Sequence, residues 1–327
     1  MNTAQPCLDL SIIVPVYNEE LNLPTLVERI YTATRPLDKS VEIILIDDGS
    51  SDDSVRILKE LCSQTPELTA VILSRNYGQS AAMSAGFHHA QGRIIISMDG
   101  DLQNDPADIP LLLAKLDKGY DVVCGWRKDR QDGYANRVLP SKIANWLIGK
   151  MTKVTLHDYG CSLKAYRYEF VKHLTLYGEL HRFIPVLVSL DGAKITEIPV
   201  NHSPRLKGVS KYGIGRTPRV ILDLILMFYF QRFATRPLHF FGKSGLYLSL
   251  TGGLIEVYLA FIKFGLGENI GDRPLLLLGF MLMTSGLLLI GIGIIAELLV
   301  RIYHETSGTD TYRVREQINA QVISSED

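Results

Sequence analysis

Between residues 8 and 125 short apolar runs alternate with helical patterns, and that rhythm leaves few folds open. Leu10–Val16, Val41–Ile46, Thr69–Leu73, Arg93–Met98 and Asp121–Gly125 read as strands. Leu21–Thr32, Ser54–Cys62, Ser80–Ala90 and Ile109–Leu116 carry apolar residues at three- and four-residue spacing and read as helices. Strand and helix alternating this way predict an α/β fold, a parallel sheet with right-handed crossovers. From about 126 to 200 the pattern is looser and ends in a strand over Lys194–Val200.

Two of these strands end in acids. Asp47-Asp48-Gly49-Ser50 closes the run from Val41, and Asp99-Gly100-Asp101-Leu102-Gln103 closes the run from Arg93. In an open α/β sheet ligands bind beyond the carboxyl ends of the strands. Acids gathered there without a basic neighbour suit a divalent cation and the phosphates it carries, so a nucleotide substrate is expected. On an extended chain Asp99, Asp101 and Gln103 point to one side. Two carboxylates and an amide oxygen suit Mg²⁺ or Mn²⁺. The Asp47–Asp52 stretch also has the composition of a simple turn. After the first strand Asn18 can cap the following helix. The functional alternative there makes Tyr17 a wall for a base and Glu19 an acceptor for base or ribose donors.

Charge sets further bounds. Charged residues make up 21% of the chain and the formal net charge is −1, so bulk charge names no partner. Locally, eight Lys and Arg from Arg205 to Lys243 face a single acid, Asp223. That excess suits an anionic ligand or an anionic lipid surface. No helix-turn-helix or zinc spacing accompanies it, which argues against nucleic acid. Cys7, Cys62, Cys124 and Cys161 form no C-x-x-C pair and read as reduced cytosolic thiols. No basic segment precedes Leu10–Val16, which reads as a first strand and not a signal peptide.

After Pro237 the composition changes. Ser244–Ile262 carries one charge, Glu256, and Leu275–Ala296 carries none. A helix of about 20 residues covers the roughly 30 Å hydrocarbon core, so both can span it. The 13 Leu, Ile and Phe residues of the second favour insertion by about 6 kcal/mol before its Gly, Ser and Thr are counted. Glu256 costs about 3 kcal/mol, too little to cancel the first span. The turn Gly267–Pro274 is short and polar, whereas basic residues flank the outer ends of both spans. The positive-inside rule therefore places both termini in the cytosol, with the protein in the inner (plasma) membrane. Val220–Phe230, apolar and flanked by arginines, reads as a helix lying in the interface. The expected organisation is a catalytic domain over 1–212, an interfacial helix over 213–238, two transmembrane helices over 239–300, and a tail over 301–327 holding a strand at Tyr312–Ile318.

Taken in order, VPVYNE (14–19), DDGSSD (47–52), LSRNYGQ (73–79), DGDLQNDP (99–106), DYGCSLKAYR (158–167), RFIP (182–185) and HSPRLKGVSKY (202–212) resemble the family 2 glycosyltransferases. More narrowly, the set with its two spans is similar to the polyprenyl-phosphate glycosyltransferases. The resemblance implies a GT-A fold, a Rossmann-like sheet with interfacial helices and a C-terminal two-helix transmembrane hairpin. It implies a nucleotide-sugar donor, a UDP-sugar on the bacterial side of the group, and a polyprenyl phosphate acceptor such as undecaprenyl phosphate. On matching positions it implies that Pro15, Tyr17, Glu19, Asp48 and Gly78 hold base and ribose. Asp99, Asp101 and Gln103 would hold the metal and diphosphate. Arg127, Arg205, Ser210 and Lys211 would meet phosphates, and Asp158 would lie near the sugar. A homo-oligomer, a tetramer in relatives, is implied as well. Two departures stand out: Gly100 replaces a usual Ala, and Thr306–Thr311 replaces an Arg-Pro approach to the last strand.

A phosphate acceptor is already anionic, with a second pKa near 6, so no strong general base is required. Single displacement at the anomeric carbon then inverts configuration. Gly208 and Ser210 give His202–Tyr212 the composition of a movable flap. Three other functions compete. A processive polysaccharide synthase would need a Q-x-x-R-W segment and more spans, and Gln231-Arg232-Phe233 does not supply it. An inactive nucleotide-sugar-binding membrane protein would have lost metal ligands that are present. The dinucleotide-like Gly291-Ile-Gly293-Ile-Ile-Ala296 lies inside a span with no preceding strand, which disqualifies a dehydrogenase.

Overall fold

Runs of β-branched residues bounded by Gly, Asp and Pro build the centre of the protein. The computed structural model describes residues 7–128, 149, 152, 154–176, 178, 180–203, 237–271, 273–306 and 312–319. The chain divides into two units, Met1–Ile225 with Asp310–Asp327, and Leu226–Thr309.

The first unit is an eight-stranded sheet: β1 (Leu8–Val16), β2 (Val41–Asp47), β3 (Leu68–Leu73), β4 (Gly92–Ser97), β5 (Val122–Trp126), β6 (Lys164–Arg167), β7 (Ile195–Pro199) and β8 (Val314–Ile318). Their order is β7-β5-β6-β4-β1-β2-β3-β8. β1 lies between β2 and β4, parallel to both, with Ile12 opposite Ile43 and Ile96. The chain runs from β1 through β2 to β3 in one direction and resumes at β4 on the other side. The switch point therefore falls at the carboxyl ends of β1 and β4, where a ligand crevice opens.

The expected parallel sheet holds for β1 to β4 and for the β5–β7 pair. It needs correction at two strands. β6 runs antiparallel between β4 and β5, and β8 runs antiparallel along β3. A four-residue strand with both faces buried has no readable alternation, so β6 left no periodic signal. The expected strand in the tail is β8, which covers the edge of β3.

Helices α1 (Leu23–Thr34), α2 (Ser54–Gln64) and α4 (Ile109–Leu116) pack on one face, burying Leu26, Ile30, Leu58 and Leu112 against Ile12, Leu45 and Ile96. Helix α3 (Gln79–His89) covers the opposite face, and Ser80–Phe87 are all buried. Its Ala, Ser and Gly residues make that possible: a Cβ on Gly86 would come within 3.1 Å of Ile13. Short α5 (Tyr168–Val171) and α6 (Ile184–Leu190) follow β6. The four cysteines are free thiols, as expected.

The second unit is a pair of long helices, α7 (Pro237–Gly265) and α8 (Pro274–Thr306). Phe241–Gly265 and Pro274–Ala296 are long and apolar enough to cross a bilayer, with mean hydropathies of 1.6 and 2.4. Within their apolar 18-residue windows only 22% and 11% of residues are buried, in contrast to the mostly buried core helix of a soluble protein. Residues 213–236, where the interfacial helix was expected, lie outside the described residues.

Candidate active site

Three turns meet at the switch point. β1 runs into Pro15, half-buried in the strand opposite Ile46, and then into Tyr17, which is exposed. Asn18 does not cap α1. It takes a left-handed φ of 52°, and its Oδ1 accepts the Ser51 amide at 2.8 Å, tying the first turn to the second. Glu19 accepts a hydrogen bond from Asn22 Nδ2 at 2.7 Å.

In the second turn both acids are engaged by backbone. Asp47 Oδ2 accepts from the amides of Gly49 and Ser50. Asp48 accepts from the Tyr77 amide at 2.7 Å and the Gly78 amide at 2.9 Å. Turn chemistry thus accounts for much of this pair. Gly49 is required: its φ is 69°, and a Cβ there would sit 2.5 Å from the Asn76 nitrogen. Gly78, with φ 96°, opens α3 and presents that amide to Asp48. Burial pushes the Asp48 carboxyl up to about 6, against the pull of the two amides.

The third turn follows β4. Its acids are not on an extended chain: the strand ends at Ser97, and buried Leu102 takes a left-handed φ of 61°. Such a conformation is uncommon for a branched residue and is found where function over-determines the backbone. The turn still brings Asp99 and Asp101 together. Gln79 Nε2 donates to Asp99 Oδ1 at 2.8 Å, and Asp101 Oδ1 accepts from the Gln103 amide at 3.2 Å. Burial and the neighbouring Asp101 charge raise the Asp99 pKa, while Ser162, Arg127 and Lys164 pull it back. Two carboxylates forced together in this way fit a dication. Among the described residues no third His, Cys, Asp or Glu joins them. A Mg²⁺ or Mn²⁺ site with two protein carboxylates is completed by substrate phosphates and water.

Arg127, just beyond β5, does not stand free for a phosphate. Its Nε and Nη2 bind Asp158 Oδ2 and Oδ1 at 2.7 and 3.0 Å, a bidentate pair with side chains 16% and 4% exposed. Burial works against its charge, yet the bonds to Asp158 hold the guanidinium pKa above its ordinary value. Beside this pair the Trp126 and His157 rings stack with centroids 4.3 Å apart. The root of the expected flap lies on the metal turn. Ser203 donates to the Gln103 carbonyl at 3.0 Å, and His202 bridges to Asn104. Arg205, Ser210 and Lys211 lie outside the described residues.

Sequence reasoning passed over Gln79, Ser162 and Lys164. Each sits inside a recognised motif, but only the antiparallel β6 and the start of α3 bring them to Asp99.

The mixed sheet, with a paired-acid turn at its switch point, is a GT-A fold. The fold matches glucosyl-3-phosphoglycerate synthase from Mycobacterium tuberculosis, solved with Mn²⁺, UDP and glucosyl-3-phosphoglycerate, at a TM-score of 0.51 and 17% identity over 69% of this chain and 80% of that one. The Glycosyl transferase family 2 profile matches residues 11–175. A dodecaprenyl-phosphate galacturonate synthase of Rhizobium johnstonii is 47% identical over 96% of this chain and 94% of its own. An undecaprenyl-phosphate 4-deoxy-4-formamido-L-arabinose transferase of Salmonella paratyphi B is 38% identical over 99% and 98%. The chain belongs to Glycosyl transferase family 2 and is a glycosyltransferase.

Proposed function

We propose that the enzyme transfers a sugar from a UDP-sugar to a polyprenyl phosphate, undecaprenyl phosphate or a close analogue, at the cytosolic face of the plasma membrane, with inversion. The observation that carries this reading is the Asp99–Asp101 turn at the switch point, rooted to the 202–203 segment, in a chain that also holds two membrane-length helices. Relatives named for transfer to dodecaprenyl and undecaprenyl phosphate match nearly its whole length.

Asp99 and Asp101 would hold Mg²⁺ or Mn²⁺, and the amide oxygen of Gln103 would be a third ligand. The chemistry this ion supplies is neutralisation of the diphosphate as it leaves. Pro15, Tyr17, Glu19, Asp48 and Gly78 line the place for base and ribose. The acceptor phosphate is its own nucleophile, so Asp158 orients and no residue needs to remove a proton. Bringing two phosphate anions together is the harder task. At about 5 Å and an effective dielectric near 20, each pair of unit charges repels by roughly 3 kcal/mol. Arg205 and Lys211 offset that repulsion, with Ser210 as a further donor, while Arg127 is engaged by Asp158 and positions it.

The detergent-solubilised full chain, given undecaprenyl phosphate and labelled UDP- and GDP-sugars, tests the reading. The panel includes galacturonate and 4-deoxy-4-formamido-L-arabinose donors. A labelled lipid-phosphate sugar is expected with one UDP-linked donor, and hydrolysis without lipid transfer would overturn the assignment. Asp101→Ala is expected to abolish transfer, and retention of activity would move the metal site elsewhere. From an α-linked donor the product should be β-linked by NMR; an α-linked product would refute single displacement.

A further inference from the structure

Lys164 is a lysine in the interior. Its residue is 3% exposed, and it occupies the first position of β6, opposite Ser97 on β4 and Cys124 on β5. Side chains alternate along a strand, so Lys164 shares a sheet face with Tyr166, whose ring meets Phe87 of α3 edge-on. That is the face on which Gln79, at the start of α3, reaches Asp99. Lys164 Nζ donates to the Tyr159 carbonyl at 3.2 Å, next to Asp158, and its charge acts on Asp99. The same segment is stitched to the metal turn: Ser97 Oγ donates to the Ser162 carbonyl at 2.7 Å, and Asn104 Nδ2 donates to Ser162 Oγ at 2.6 Å.

A buried ammonium is costly unless charges of opposite sign surround it. Here the described cluster is Asp99, Asp101 and Asp158 against Arg127 and Lys164, which leaves one net negative charge. Without Lys164 the cluster would carry two. A more negative cluster attracts a bare dication more strongly and a nucleoside diphosphate less strongly.

We propose that Lys164 is a positioning residue of the transfer site. Its buried ammonium ties the Asp158–Tyr159 turn to β6, which pairs with the strand that leads into Asp99, and its charge makes the acid cluster prefer a cation delivered with a nucleoside diphosphate over the bare cation. This rests on the metal and nucleotide reading above. The arrangement keeps the resting site from filling with metal alone, and it holds a fixed positive charge beside the strand that leads into Asp99.

Calorimetric titration of the full solubilised chain separates the two parts. Mn²⁺ is titrated alone, and UDP is titrated at saturating Mn²⁺. Wild-type protein that binds no UDP with Mn²⁺ would fail the nucleotide reading itself, whatever Lys164 does. Given wild-type binding, Lys164→Met is expected to bind bare Mn²⁺ about tenfold more tightly and UDP with Mn²⁺ at least about tenfold more weakly. Lys164→Arg, which keeps the charge, should stay within about threefold of wild type in both. A purely structural lysine would weaken both affinities together, and either that outcome or no change overturns the proposal. Should Lys164→Met not fold, Lys164→Gln carries the same opposite-sign test; if neither folds, Lys164 is scaffold and the proposal falls.

Discussion

Arg127 and Asp158 show what the sequence could not say about single residues. Each was assigned alone, one to a phosphate and one to the sugar, because their separation of 31 positions hides a bidentate contact. Neutralising one partner leaves the other charged and buried, a situation that typically costs 3–5 kcal/mol. Arg127→Met should therefore lower unfolding free energy by about 3 kcal/mol in denaturant titration, and adding Asp158→Asn should restore much of it. Additive losses would mean that the two side chains do not depend on one another. Asp48 makes a pH prediction. Its folded pKa of about 6 exceeds the usual carboxylate value near 3.9, so protonation favours the folded state. Its contribution is fully present below about pH 3.9 and is lost as pH rises through about 6. Asp48→Asn should flatten the stability profile across pH 4–6, and an unaltered slope there would assign the titration to another group. The paired acids Asp99 and Asp101 were legible because composition and position at a strand end suffice to mark them. Lys164 was not, since a lysine after Leu163 looks like any surface cation until β6 turns it inward.

At the scale of elements, legibility follows how local the signal is. The boundaries of α4 and the cores of β1 to β4 were readable because their apolar runs decide burial by themselves. β6 was invisible, as its placement depends on β4 and β5, which lie far away in sequence. The hairpin was legible as hydropathy, but its internal packing rests on glycines that hydropathy ignores. A Cβ at Gly252 would lie 2.6 Å from the Gly279 carbonyl, and one at Gly245 would lie 2.5 Å from the Gly286 carbonyl. Small residues let membrane helices approach to backbone contact, which lipid cannot otherwise reward. Gly252→Leu must push α7 and α8 apart, so the solubilised variant should unfold at a lower temperature than wild type. The exposed face supplies the control: Leu254→Ala, at a residue 71% exposed, should leave the transition within about 1 °C. Equal effects of the two substitutions would place the helix contact elsewhere. The β8 strand carries a similar dependence, because Asn319 Nδ2 donates to the Thr65 and Leu68 carbonyls and fastens the tail beside β3.

For the whole molecule, the sheet itself constrains topology. β1 begins at Leu8 and β8 ends at Ile318, yet both belong to one sheet, and the two apolar helices lie between them in sequence. A chain that leaves the sheet and returns to it must cross a bilayer an even number of times. Under the proposed function both helices of membrane length cross, and the proposed topology then puts the turn after Gly265 on the side opposite the sheet. Basic residues at Arg236, Lys243 and Arg301 flank the outer ends of the pair, and at the turn end Lys263 and Arg273 are balanced by Glu268 and Asp272. By the positive-inside rule the proposed topology puts the sheet on the cytosolic side. The thiols make this testable: Cys7 is exposed, whereas Cys62, Cys124 and Cys161 are buried. Asn269 lies exposed in the turn. In bacterial spheroplasts an impermeant maleimide should label Asn269→Cys in a Cys7→Ser background before lysis. It should label wild-type Cys7 only after the membrane is opened. Labelling of Cys7 in intact spheroplasts would put the sheet outside, away from cytosolic nucleotide-sugars, and would end the assignment of the reaction to the inner face.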